Sequence, residues 1–306
     1  MVIIWILQSL CVSVAVVSHT PIDQIENKGT GVVSVGGPTS YGGLTAKSCG
    51  FNVKLATKIG LDFPEDFKDL LRERGLTISS NCISNSKPTT RFKLVLKDHE
   101  RDLFLLARCD DITADDIEFD TDACIVSPII NEVRADAFTK ISQKTGFVFL
   151  DPQGFVRKVR NDGSCYIGRT EMSIDRRKIN TIKVDEEEAF ALTGERGIDA
   201  LKKLGIETAI LTSKNKTTML HQERLYEIAT ELIEAKDSTG IGDIFAGAYT
   251  CAFVEKSDAK WALCFGVAAA VTALKTNTTG ISKIPMRKDV EEYASTLHDR
   301  LKILSV

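Results

Sequence analysis

Short apolar runs at 12–17, 53–59, 123–127, 146–151, 181–184 and 208–211 alternate along the chain with segments whose apolar residues recur at spacings of three and four, at 64–74, 132–144, 186–192, 197–204 and 258–274. The runs are short and apolar, and 12–17 is β-branched, which predicts buried strands, while the three-and-four spacing predicts amphipathic helices. Strands and helices alternating along the chain predict an α/β fold with a doubly wound, mostly parallel sheet. Two stretches depart from this order. Gly31-Val32-Val33-Ser34-Val35, and then 90–96 with 103–106 joined by Lys97-Asp98-His99-Glu100, read as antiparallel strands of a small separate sheet. Such a flap, within about 30–37 and 88–108, is placed to cover a substrate and exclude water. With no repeat and no long linker, residues 12–306 are expected to form one domain plus this lid.

Composition narrows the class. The 306 residues are 43% hydrophobic and 26% charged, as in a globular protein with a substantial core, and a net charge of −3 argues against binding nucleic acid through phosphate neutralisation. Eight cysteines are scattered without C-x-x-C pairs or zinc spacing, so they read as thiols of a reducing, cytoplasmic compartment. The four histidines show no ligand spacing either. His19, just past the first strand, reads as a hydrogen-bonded core-edge residue or a substrate contact. Residues 1–11 form an apolar extension, continuous with an uncharged run about as long as a membrane helix. No Lys or Arg precedes Lys28, which favours an extension ahead of the first core strand over a signal or anchor.

The most specific chemistry lies in Asp237-Ser238-Thr239-Gly240-Ile241-Gly242-Asp243, which runs into a helix-like apolar segment. Two glycines free the backbone to turn and present unpaired N–H groups to an anion at a helix N-terminus. A carboxylate beside a phosphate cradle makes electrostatic sense if it handles a proton. Asp243 is therefore a candidate general base for a hydroxyl attacking a phosphoryl group, with Gly240, Ile241 and Gly242 as the anion hole. The competing reading is a tight loop with Asp243 favouring the first helical turn.

Taken with the other ordered motifs, the chain resembles the PfkB family of carbohydrate kinases, with its ribokinase-like fold, from about Val12 to the C-terminal helix. The 237–243 segment is similar to the family's D-T-T-G-A-G-D signature, with Ser238 and Ile241 as departures. Val35-Gly36-Gly37-Pro38-Thr39-Ser40-Tyr41 resembles its early glycine-pair motif, with Tyr41 where many members have Asn. Asp23 stands at the family's substrate-hydroxyl position. An Asx turn after Pro21 is the other reading of that residue. The resemblance thus implies Asp23, Gly36, Gly37 and Tyr41 as substrate-binding residues. Lys183-Val184-Asp185-Glu186-Glu187-Glu188 resembles the N-x-x-E element associated with magnesium and phosphate, which implies a metal role for Asp185 and Glu188. A helix cap followed by a solvated acidic turn competes with that role. Lys183, Thr212, Lys214, Thr239, Ala268 and Gly280 are implied on the nucleotide side, with 268–280 lining the base. Lys214 and Thr217 replace the glycines usual in the family's T-x-G-x-x-G loop; Lys214 and Lys216 read either as phosphate contacts or as a solvated turn. Asp237 reads as a loop-orienting cap or as a ligand of a monovalent cation. The segment 151–157 follows a strand and so lies at the ligand-bearing carboxyl edge of the sheet, where Arg157 reads as a surface salt bridge rather than a phosphate contact.

The resemblance implies an ATP-dependent phosphotransferase acting on a small sugar or polyol, myo-inositol-like or ribose/fructose-like, with ATP, Mg2+ and, as a further candidate, K+ as cofactors. Its partners are small molecules, with no nucleic acid or membrane expected and a homodimer through the lid as a candidate assembly. A nucleoside kinase, or a catalytically silent sugar or nucleotide sensor, are the other readings.

Overall fold

The computed structural model describes residues 12–27, 30–97 and 100–304. Elements are labelled in chain order. Six parallel strands, β14 (Thr208–Thr212), β13 (Thr181–Asp185), β10 (Thr145–Leu150), β9 (Thr121–Val126), β1 (Ser13–Val17) and β4 (Asn52–Ala56), lie side by side in that order. The antiparallel strands β15 (Lys216–His221), β16 (Arg224–Ala229) and β17 (Lys302–Leu304) extend the sheet beyond β14. Period-two alternation explains why the inner strands are apolar throughout. Val14, Val16, Ala123, Ile125, Phe147 and Phe149 enter one core. Ala15, Val17, Cys124, Val126, Val148 and Leu150 enter the other. Helices α1 (Gly37–Ser48), α2 (Glu65–Glu73), α7 (Ile241–Lys256), α8 (Ala259–Lys275) and α9 (Arg287–His298) close the first core. Helices α3 (Ala135–Lys144), α4 (Gln153–Val156), α5 (Glu186–Thr193) and α6 (Gly197–Leu204) close the second.

The expected α/β doubly wound sheet is present, with differences at three places. The expected strand 53–59 ends at Ala56, and Ile59–Gly60 forms a separate β5 paired with β6 (Ile83–Ser84). The expected helix 132–144 begins only at Ala135. Glu132 is fully buried and its carboxylate accepts from the N–H groups of His19, Ile129 and Ile130, so it ties a loop rather than opening a helix. Helix α1 carried no amphipathic pattern because nearly its whole length is buried, from Pro38 to Ala46.

The lid is a four-stranded sheet, β3 (Thr30–Val35), β2 (Ile22–Asn27), β7 (Arg91–Lys97) and β8 (Glu100–Ala107), in that order. The β7–β8 pairing is antiparallel as expected, while the strand the pattern missed, β2, pairs antiparallel with β3 and parallel with β7. Phe92 and Leu94, with Leu103 and Leu105, pack on Ile129 and Ile130 of the main body. Val32 and Val33 face outward, at 62% and 55% exposure. The small hairpin β11 (Arg157–Val159) and β12 (Cys165–Ile167) is joined to the lid where the Leu105 N–H donates to the Gly163 carbonyl at 2.8 Å. The expected turn residues Asp98 and His99, the 1–11 extension and Cys11 lie outside the described residues. The described cysteines are free thiols, mostly buried. Among the described residues no helix is long and apolar enough to cross a membrane.

Candidate active site

The parallel strands end on one edge of the sheet, where ligands of open α/β folds bind. Residues 237–240 turn there into α7. Gly240 is the N-cap, with φ of 72°, a left-handed backbone that glycine adopts without strain. A Cβ at this position would also fall 2.3 Å from Cδ2 of the Tyr41 ring. The first helical bond is donated by the Ile244 N–H to the Gly240 carbonyl at 2.9 Å, so the N–H groups of the first turn have no intrahelical acceptor and are available to an anion.

Four buried charged side chains meet beneath this turn. Lys183 of β13 donates to Asp151 Oδ2 at 2.6 Å, and a Cβ on Gly242 would stand 3.0 Å from Lys183 Nζ. Burial alone would lower the Lys183 pKa, but the carboxylates of Asp151 and Glu188 outweigh it and hold the ammonium above its ordinary value. Asp243 is buried at the same place. Burial and the Asp151 charge push its carboxyl up to about 7, against the opposing pull of Lys183. Glu188 is raised to about 8 by burial and by Asp151, again with Lys183 opposing. The Glu188 side chain accepts from the Asp185 N–H at 2.9 Å, and Asp185 Oδ1 accepts from the Glu187 and Glu188 N–H groups at 2.9 and 2.8 Å. This reciprocal cap is the structural reading of the acidic run, and it leaves Glu188 pointing into the charged cluster.

A cavity of about 100 Å³ separates the lid from this edge. Pro21, Gly37, Tyr41, Thr239, Gly240 and Asp243 line it on the body side, and Asp23, Phe92, Leu94 and Leu103 line it from the lid sheet. Asp23, expected either at a substrate position or in an Asx turn, lies on β2 and is buried. Gly36 lets it in: a Cβ there would fall 2.0 Å from Asp23 Oδ2. Gln153 and Arg157 add polar groups to the wall, beside Pro38 and Ile129. Gln153 was not singled out by the sequence. Arg157 was expected at a surface ion pair and instead lines the cavity; its guanidinium donates to the Ile129 carbonyl at 2.5 Å and to Gln153 Oε1 at 3.0 Å, and stands 5.7 Å from the Phe92 ring centroid. Their position just past the carboxyl end of β10 was the available signal. His19 is the satisfied residue of the two readings: its ring nitrogens meet the Asp110 carbonyl at 2.7 Å and Thr90 Oγ1 at 2.8 Å, and burial holds its pKa low.

The expected nucleotide side is less gathered. Thr239 donates its N–H to Asp237 Oδ1, and Gly280 donates its N–H to Asp237 Oδ2, each at 2.8 Å. Thr212 Oγ1 donates to the Val184 carbonyl at 3.3 Å. Lys214 is exposed on a tight turn closed by the Ser213 N–H and the Lys216 carbonyl at 2.8 Å, with Thr217 already inside β15. Ala268, expected to line the base, is 0% exposed inside the main core. The run of small residues in α8 marks helix packing there rather than a ligand wall.

Residues 168–286 match the family model described as pfkB family carbohydrate kinase. Among solved structures, the chain is similar to a pyrophosphate-dependent kinase in the ribokinase family in complex with sulfate, at 22% identity and a TM-score of 0.78, covering 91% of this chain and 99% of that chain. It is similar to a pyrophosphate-dependent kinase of the same family complexed with a pyrophosphate analog and myo-inositol, at 22% identity, TM-score 0.77 and the same coverages, 91% and 99%. It is also similar to Arabidopsis thaliana ribokinase complexed with ribose and ATP, at 19% identity, TM-score 0.71 and coverages of 93% and 99%. At such identities the likeness establishes the fold. No curated protein sequence matches the chain.

Proposed function

We propose, from the premise that this chain is a carbohydrate kinase of the PfkB family, that it transfers a phosphoryl group to a hydroxyl of a small sugar or polyol bound between Asp23 and Asp243. The observation that carries this reading is the buried Asp243 carboxyl, raised to about 7, which lines the cavity within three residues of an anion-accepting helix start. Asp243 takes the proton of the attacking hydroxyl, and a pKa near the working pH suits a general base. The N–H groups of Gly240, Ile241 and Gly242 receive the transferring oxygens, and Lys183 supplies fixed positive charge under the same turn. Asp23 accepts hydrogen bonds from substrate hydroxyls, while Phe92, Leu94 and Leu103 keep water out.

Mg2+ suits the donor set. It needs one or two carboxylates besides phosphate oxygens and water, and Glu188 is a buried carboxylate beside the Asp151–Lys183 pair, its pKa raised by burial and by the Asp151 charge. Glu188, backed by Asp185, would hold it, and the ion would neutralise charge on the donor phosphates.

ATP is the donor of the first reading. Pyrophosphate is the second, favoured by the exposed, glycine-free turn at Ser213 to Lys216 and by the sealed Ala268, which leave the adenine side poorly defined. Phosphorus NMR of reactions with Mg-ATP or Mg-pyrophosphate and a panel of myo-inositol, ribose, fructose and adenosine separates them. The reading expects a phosphomonoester with a polyol or sugar; a product with adenosine alone would replace it by the nucleoside reading, and no product with any pair would leave a binding protein.

A further inference from the structure

Lys283 is 0% exposed, yet it belongs to none of the groups placed at the transfer site. Its ammonium lies 3.0 Å from Asp237 Oδ2 and 3.1 Å from the Asp237 carbonyl, with the Tyr41 ring centroid at 5.4 Å. A buried ion pair is a weak device for stability, since an apolar pair of similar volume often serves as well. What this pair holds together is more informative. Through Oδ1 Asp237 fixes the Thr239 N–H, and through Oδ2 the Gly280 N–H, each at 2.8 Å. One carboxylate therefore clamps the turn that enters α7 to the segment that follows α8, and Lys283 is anchored in that second segment. Tyr41, beneath the ammonium, is the same ring that Gly240 must be a glycine to clear.

A side-chain oxygen and a carbonyl oxygen converging on one point form the kind of oxygen set that a monovalent cation takes, and Asp237 was the candidate ligand for K+. That point is held by Lys283, a compact cation with three donors on a tether. K+ at the same oxygens would meet a like charge at contact distance, so these residues do not fit it. Burial on its own would raise the Asp237 carboxyl, but the Gly280 and Thr239 N–H groups and Lys283 outweigh it and hold it below its ordinary value.

We propose that Lys283 is a built-in monovalent cation, a positioning residue whose ammonium fixes the Asp237–Gly240 turn and sets the anion cradle without added K+. Its catalytic consequence rests on the kinase reading; the replacement of the ion does not. The experiment compares the full chain with Lys283→Ala in tetramethylammonium chloride, exchanged at constant ionic strength for KCl, NH4Cl or methylammonium chloride. Melting temperature is read in each, together with kcat and KM on myo-inositol with Mg-ATP or Mg-pyrophosphate. The wild-type chain is expected to show the same melting temperature and kcat in all four salts. Lys283→Ala is expected to lose at least tenfold in kcat, more than in KM, and to regain most of it saturably with K+ or an ammonium ion, with a melting temperature raised by the same ions. Saturable activation or thermal stabilisation of the wild-type chain by K+ would overturn the proposal, and so would a folded Lys283→Ala indifferent to all four salts. If that variant does not fold, the wild-type comparison still decides. A wild-type chain with no turnover would sink the kinase reading instead, while the melting temperatures would still test the cation.

Discussion

Asp243 concentrates the electrostatics of the site in one residue. Its raised pKa means that between the ordinary carboxyl value, near 3.8, and about 7 the folded chain holds a proton that the unfolded chain has released. Stability from this group is therefore present at low pH and lost as pH rises through that window. Glu188 acts in the same direction up to about 8. Activity has the opposite sign, because the base must be ionised. The kcat/KM profile is expected to rise with pH through about 7, and Asp243→Asn to melt at or above the wild-type temperature near pH 8 while losing on the order of 10²-fold or more in turnover. A pH-independent kcat/KM between 5.5 and 8.5, or a variant melting well below wild type, would contradict this account. The glycine turn beside it singled the residue out in the sequence, and the structure buries it at the cavity. The edge position of Asp151, Gln153 and Arg157 was legible but their meeting with Asp243 was not, because they come from a strand end far away in sequence and only the sheet brings them together.

Among the elements, those that faced one way were legible and those that did not were missed. Helix α6 was expected at 197–204 and lies at Gly197–Leu204, since its apolar stripe is buried on one side only. Helix α1, buried nearly all round, and β2, a lid strand carrying polar Asp23 and Gln24 amid apolar neighbours, gave no matching period. Their importance shows in contacts instead: Gly36 admits Asp23, and Tyr41 of α1 packs under Gly240 of α7. Gly240→Ala therefore meets two penalties, a left-handed backbone worth roughly 1–2 kcal/mol and a collision with the Tyr41 ring. The variant is expected to melt a few degrees lower and to lose turnover out of proportion to that shift. Wild-type turnover in Gly240→Ala would show that the turn does not hold the phosphoryl group.

At the scale of the whole molecule, the parallel sheet was readable because burial on both faces leaves unbroken apolar runs, and the lid because its strands break the strand–helix alternation. The antiparallel extension β15–β16–β17 was not read, its strands being interrupted by threonines, lysines and glutamates that suit a sheet edge as well as a loop. Sheet and lid together place Asp23 and Asp243 across one small cavity, beside a helix start whose first N–H groups lack intrahelical acceptors. The central claim is that phosphoryl transfer occurs there with Asp243 as base. The most direct test is the initial rate of phosphomonoester formation on myo-inositol, ribose and fructose, with Mg-ATP and with Mg-pyrophosphate, for the wild-type chain and Asp243→Asn at equal concentration of folded protein. Transfer by the wild-type chain to at least one acceptor is expected, with a loss of on the order of 10²-fold or more in the variant; equal rates from the two proteins, or no transfer by the wild-type chain, would overturn the role of Asp243.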